Sequence, residues 1–142
     1  MKSGDQKILL AINTAVLNEA AVFLFDGKEI KKESTKEAKD KLLFLVDKIL
    51  KKNKKEAGKI RGVAVVSGPG SFTAVRNGVV AANMLGNLLQ VPVVGVKGEE
   101  FKNEKEFLKI GYERMVKAKK GEIVLPAYGK EPNITKSKKW KL

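Results

Sequence analysis

Apolar and polar positions divide this chain into short runs of unbroken hydrophobicity and longer runs with helical spacing. Lys7-Ile8-Leu9-Leu10-Ala11-Ile12 ends at Asn13-Thr14-Ala15, and Ala20-Ala21-Val22-Phe23-Leu24-Phe25 is a second such run. Both predict buried strands. Asp26-Gly27 is a hairpin signal, so a third strand is expected over Lys28-Glu29-Ile30-Lys31-Lys32-Glu33. Its polarity places it at a sheet edge, where exposed Lys discourages further strand pairing. Ser34-Thr35-Lys36-Glu37 has the spacing of a capping box and predicts a helix start. Beyond it, Ala38, Leu42, Leu45, Val46, Ile49 and Leu50 recur at steps of three and four, Lys39, Lys41, Lys48, Lys51 and Lys52 occupy the other positions, and Gly58 ends or follows the helix.

The middle of the chain is the most apolar. Gly62-Val63-Ala64-Val65-Val66 does not alternate, which suits a parallel strand covered on both faces. Ser67-Gly68-Pro69-Gly70-Ser71-Phe72-Thr73 then forms a turn in which Ser71 or Thr73 can cap a helix running to about Leu89, and Val91-Pro92-Val93-Val94-Gly95-Val96 is the next strand. Within that helix Ala74, Gly78, Ala82 and Gly86 repeat every four residues. Such a narrow stripe admits close approach either by the chain's own sheet or by a helix of a second chain. After Val96, Phe101, Phe107, Leu108, Ile110, Tyr112, Met115 and Val116 predict a third helix over about 99–119, and Glu122-Ile123-Val124-Leu125-Pro126-Ala127-Tyr128 a last short strand. One lobe over 1–128 and a basic tail over 129–142 follow.

Charge adds a possible partner class to this outline. The 142 residues carry 29 basic and 16 acidic side chains, a formal net charge of +13. That surplus either solvates the surface or favours an acidic partner such as RNA, and in the tail Trp140 could stack on a base while Lys136, Lys138, Lys139 and Lys141 contact phosphates. With neither Cys nor His, disulfides, thiol nucleophiles, the usual zinc sites and every Ser-His triad are excluded. No nucleophile stands beside a base, so no catalytic residue and no metal site is assigned; Asp26 is explained by its turn. The first apolar run is too short for a signal segment or a membrane span, and a cytoplasmic protein with no membrane contact is expected.

Three strands, a helix, a strand, a helix and a strand is the order of a ribonuclease H-like, actin-like (ASKHA) α/β lobe, a mixed five-stranded sheet with flanking helices. The string Ser67 to Thr73, followed by Arg76, Gly78 and Val91-Pro92-Val93-Val94-Gly95-Val96, closely resembles the TsaB (YeaZ) family. Ile8 to Thr14 and Pro126-Ala127-Tyr128-Gly129-Lys130-Glu131-Pro132 resemble the two ends of that family.

The resemblance implies a reduced form with most of the second lobe missing. It also implies a non-catalytic scaffold subunit in forming N6-threonylcarbamoyladenosine at position 37 of tRNA. TsaD and TsaE would be its partners, ATP and metal would sit on partner subunits, and tRNA would be met through the complex. The chain by itself would hold no cofactor and would form a homodimer. Pairing would use the helices over 35–55 and 73–89, with Leu42, Leu45, Val46, Ile49, Ala74, Arg76, Gly78, Ala82, Leu85 and Gly86 at the interface.

Departures from the family pattern bear on chemistry. Asn13 stands where the family has an Asp, which lowers the ligand charge available to Mg2+. Asn13, Thr14, Gly68, Gly70 and Ser71 could still face an anion or nucleotide, although Pro69 removes one amide donor and a purely structural turn is the simpler reading. The alternative function is a basic module that binds tRNA directly.

Overall fold

Among the described residues, five strands and four α-helices follow one another as β1 (Ile8–Asn13), β2 (Ala20–Phe25), β3 (Ile30–Thr35), α1 (Leu42–Lys52), α2 (Lys54–Ala57), β4 (Ile60–Gly68), α3 (Phe72–Leu89), β5 (Val93–Lys97) and α4 (Glu104–Lys117). This is a computed structural model, and it describes residues 6–16, 19–36, 42–70 and 72–125. The sheet order is β3-β2-β1-β4-β5. β1 pairs antiparallel with β2 and parallel with β4, so the hairpin half and the crossover half of the sheet meet along β1.

Alternation along each strand divides the core in two. Ile8, Leu10 and Ile12 of β1, with Val63 and Val65 of β4, face α1 and α3. Leu9, Ala11, Ala64 and Val66 face α4 and pack with Phe107, Leu108 and Met115. Both faces of β1 and β4 are therefore apolar, which is why neither strand alternates in sequence. Phe107 is fully buried and meets Phe23 edge-on with ring centroids 6.2 Å apart. Burying such a side chain contributes about 2 to 3 kcal/mol.

Two sequence expectations are corrected. Ser34 and Thr35 do not begin a helix; they end β3, opposite Ala21 and Ala20, and the β2 ladder takes their backbone. The proposed partner in the capping box, Glu37, lies outside the described residues. Of the strand expected over 122–128, residues 122–125 are not a strand, although they run beside the β5 edge, and 126–128 lie outside the described residues. There Val93 N–H donates to Glu122 O at 3.1 Å, and the Asn83 side chain makes both backbone bonds to Val124, at 3.0 and 2.8 Å. A side-chain amide from α3 thus supplies the pairing that a strand neighbour would have supplied.

The β5-to-α4 connection is clamped by charge. Glu100 accepts from Arg114 Nη1 at 3.0 Å and from Lys97 N at 2.7 Å, and it pairs with Arg114 Nη2 as well. The Arg114 guanidinium, and then the Lys97 amide, hold this carboxyl well down, at about 2. A depressed folded value means the stabilisation is present above the ordinary value of 4.5 and fades as pH falls from there toward 2. Glu100→Gln is expected to cost about 1 kcal/mol at pH 7, given the partial exposure of the pair, and nothing near pH 2. Urea midpoints of both proteins across that range check this; a gap that persists at pH 2 would show another cause.

Candidate functional site

At the carboxyl ends of the parallel strands, the structure brings together Asn13, Thr14, Gly68 and Gly70. Gly68 has φ +127°, a backbone state open to Gly, and precedes Pro69 through a cis peptide bond. A Cβ at Gly70 would lie 3.2 Å from Ala15 O, so the turn folds directly against the end of β1. The polar side chains here are already engaged. Buried Thr14 donates its hydroxyl to Ala74 O at 2.6 Å, tying β1 to the first turn of α3, and Asn13 Oδ1 accepts from Ala15 N at 2.9 Å. The Asn13 bond closes a local turn, whereas the Thr14 bond fastens two elements distant in the chain. Ser71 lies outside the described residues, as do Lys136, Lys138, Lys139, Trp140 and Lys141. A cleft of about 350 Å3 beside β5, lined among others by Val94, Arg114 and Val124, includes none of the turn residues.

The helical interface expected from sequence is corrected by the layering. Leu42, Leu45, Val46 and Ile49 all point into the core beneath α1, and Ala82 and Leu85 do the same beneath α3. Gly78 and Gly86 are buried as well: a Cβ at 78 would stand inside van der Waals contact of Thr14 Oγ1, and one at 86 inside that of Val93 Cγ2. The Ala/Gly stripe therefore lets α3 lie close on its own sheet. Ala74 is half-buried, and only Arg76 of the expected set is exposed.

What the two helices show to solvent is a different set. On α3, Val80, Met84 and Leu88 are 56%, 42% and 69% exposed, in line with Arg76 at steps of four; on α1, Leu43 and Phe44 are 52% and 61% exposed. Positions offset by two residues on a helix lie about 200° apart, so this bulky row runs opposite the small one. The signal was in the sequence as a second four-residue repeat, but nothing in the spacing says which row meets the sheet.

A five-stranded sheet in this order, two parallel pairings and helices on both faces define a ribonuclease H-like, actin-like lobe. The family model described as "TsaD: tRNA N6-adenosine threonylcarbamoyltransferase" matches residues 31–129, and the chain belongs to that family. Within it the chain is YeaZ-like, as the Gly68 to Thr73 string suggested. It is similar to a solved structure of an uncharacterized protein with similarity to peptidase YEAZ from Pseudomonas aeruginosa, and to the structure of YeaZ from Pseudomonas aeruginosa. In both cases identity is 26%, the TM-score is 0.58, and the match covers 64% of this chain and 43% of the other. The chain thus spans less than half the length of these relatives. Among curated proteins none matches it. No described helix is long and apolar enough to cross a membrane.

Proposed function

We propose that this chain is a non-catalytic subunit in the formation of N6-threonylcarbamoyladenosine at position 37 of tRNA, and that it pairs with a TsaD transferase subunit that carries ATP and metal. Membership of the TsaD family supports the reaction class. The observation that carries the pairing is the apolar row Val80, Met84 and Leu88 on α3, with Leu43 and Phe44 on α1, left uncovered on one flank. A cluster of large exposed apolar side chains on two helices of one layer suits a protein partner. A related lobe can meet it helix layer to helix layer, with TsaE joining the pair and tRNA reached through the complex. In the absence of that partner, the same row would pair two copies of this chain. Asn13, engaged with Ala15 N, supports the assignment of metal and nucleotide to the other subunit.

The test is co-elution of this chain with the TsaD of its own organism, followed by tRNA modification with each protein alone and with both. A complex, and activity only in the mixture, is the expected result. Modification by this chain alone would overturn the non-catalytic role, and failure to associate at micromolar concentration would overturn the pairing.

A further inference from the structure

The amino ends of β1 and β4 form a basic end of the molecule. Ile8 N donates to Lys59 O at 3.1 Å, so Lys7 and Lys59 enter adjacent central strands side by side. α2 contributes Lys54 and Lys55, and Lys59 N is tied back to Glu56 O at 2.9 Å, which turns the chain directly from α2 into β4. Arg61 joins them through a register shift. Ile8 pairs with Ile60 but Leu9 pairs with Gly62, so Arg61 has no partner on β1 and is exposed in an otherwise buried strand. Its Nη1 donates back to Ile60 O at 3.2 Å, over the start of β4. Bulges of this kind re-aim a side chain out of the sheet.

These cations are not neutralised by the fold. Lys48 and Lys52 pair with Glu33, and Lys51 pairs with Asp47. Among the described residues, Lys7, Lys54, Lys55 and Arg61 have no carboxylate partner, and Lys59 Nζ donates to the neutral Gln6 Oε1 at 3.3 Å. Of the nearby acids, Asp26 is taken up by Gln6 Nε2 and by the amides of Lys28 and Glu29, and Glu56 stands alone in α2. The basic end follows the last turn of α1, whereas Leu43 and Phe44 lie in its first turn, and it is opposite the Gly68 to Gly70 turn.

We infer that this end is a phosphate-backbone contact for tRNA, which the same chain can make while its α1/α3 flank holds a protein partner. The inference rests on the tRNA reading above for its choice of polyanion. Cations spread over α2 and the starts of two adjacent strands fit a run of backbone phosphates, and such contacts make affinity fall steeply with salt.

The experiment is fluorescence anisotropy of an unmodified tRNA transcript with the full chain at several salt concentrations. Lys54→Gln/Lys55→Gln/Arg61→Gln is compared with Lys102→Gln/Lys105→Gln, which removes two exposed lysines outside this end. The first variant is expected to bind at least about tenfold more weakly and to lower the salt slope by about 2 to 3, while the second stays near the parent protein. Lys54→Gln/Lys55→Gln alone, away from the sheet, should show a partial loss without any question of folding. Unchanged binding by the first variant would overturn the inference. So would loss of binding on deleting residues 136–142 alone, or binding to anionic phosphatidylglycerol vesicles without binding to tRNA. Co-elution with TsaD is read separately: if pairing fails but the variants lose tRNA, the basic end stands and the subunit reading falls.

Discussion

Gly78→Leu is expected to destabilise the isolated chain by about 3 kcal/mol or more, read as a lowered urea midpoint at unchanged slope. The Cβ would meet Thr14 Oγ1, and Thr14 cannot step aside. It is buried, branched at Cβ, and committed through its hydroxyl to Ala74 O at 2.6 Å. Either α3 lifts from the sheet, or Thr14 turns away and leaves a buried carbonyl without its donor; each route costs more than the roughly 1 kcal/mol of helix propensity that replacing Gly would return. Gly86→Leu should behave alike, because Val93 Cγ2 and Val91 O occupy that space. A Gly78→Leu protein as stable as the parent would mean the stripe does not sit against β1.

Val80→Glu/Met84→Glu should do the reverse. Both side chains are exposed, so folding stability should change by no more than about 0.5 kcal/mol, while affinity for the TsaD subunit falls at least about a hundredfold, or about 3 kcal/mol. Two carboxylates placed at the centre of an apolar contact would be stripped of water without a partner. Titration calorimetry or co-elution, read beside the urea midpoint, separates this variant from Gly78→Leu, which loses pairing only by unfolding. Unaltered affinity would place the interface elsewhere on the lobe.

Much of this architecture was legible along the chain. The unbroken apolar runs at 8–12 and 62–66 mark strands buried on both faces, and their counterparts in the structure are β1 and β4, covered by α1 and α3 on one side and by α4 on the other. Asp26-Gly27 marks the β2–β3 turn, where Asp26 Oδ1 accepts from Lys28 N and Glu29 N at 2.8 and 2.7 Å and Gly27 takes φ +99°. Two local signals were overridden. Ser34-Thr35 carry good capping chemistry, but β2 offers a full set of backbone bonds at the same residues, and a ladder outweighs one cap. The apolar segment at 122–125 has strand composition, yet Asn83 of α3 meets Val124 before a ladder can form.

Local period and turn chemistry by themselves determined most of the elements, their order and the YeaZ-like resemblance, because hydrophobic spacing and the Gly68 to Thr73 string are properties of neighbouring residues. Only the tertiary structure decided which of two four-residue rows on α3 is inside. The helix is apolar nearly all round, so its own periodicity is silent on orientation; Thr14 and Val93 settle it, because they leave room for Gly78 and Gly86 and for nothing larger. The same holds for Arg61, a charge in a central strand whose exposure depends on a register shift between β1 and β4, strands that lie some fifty residues apart in the chain.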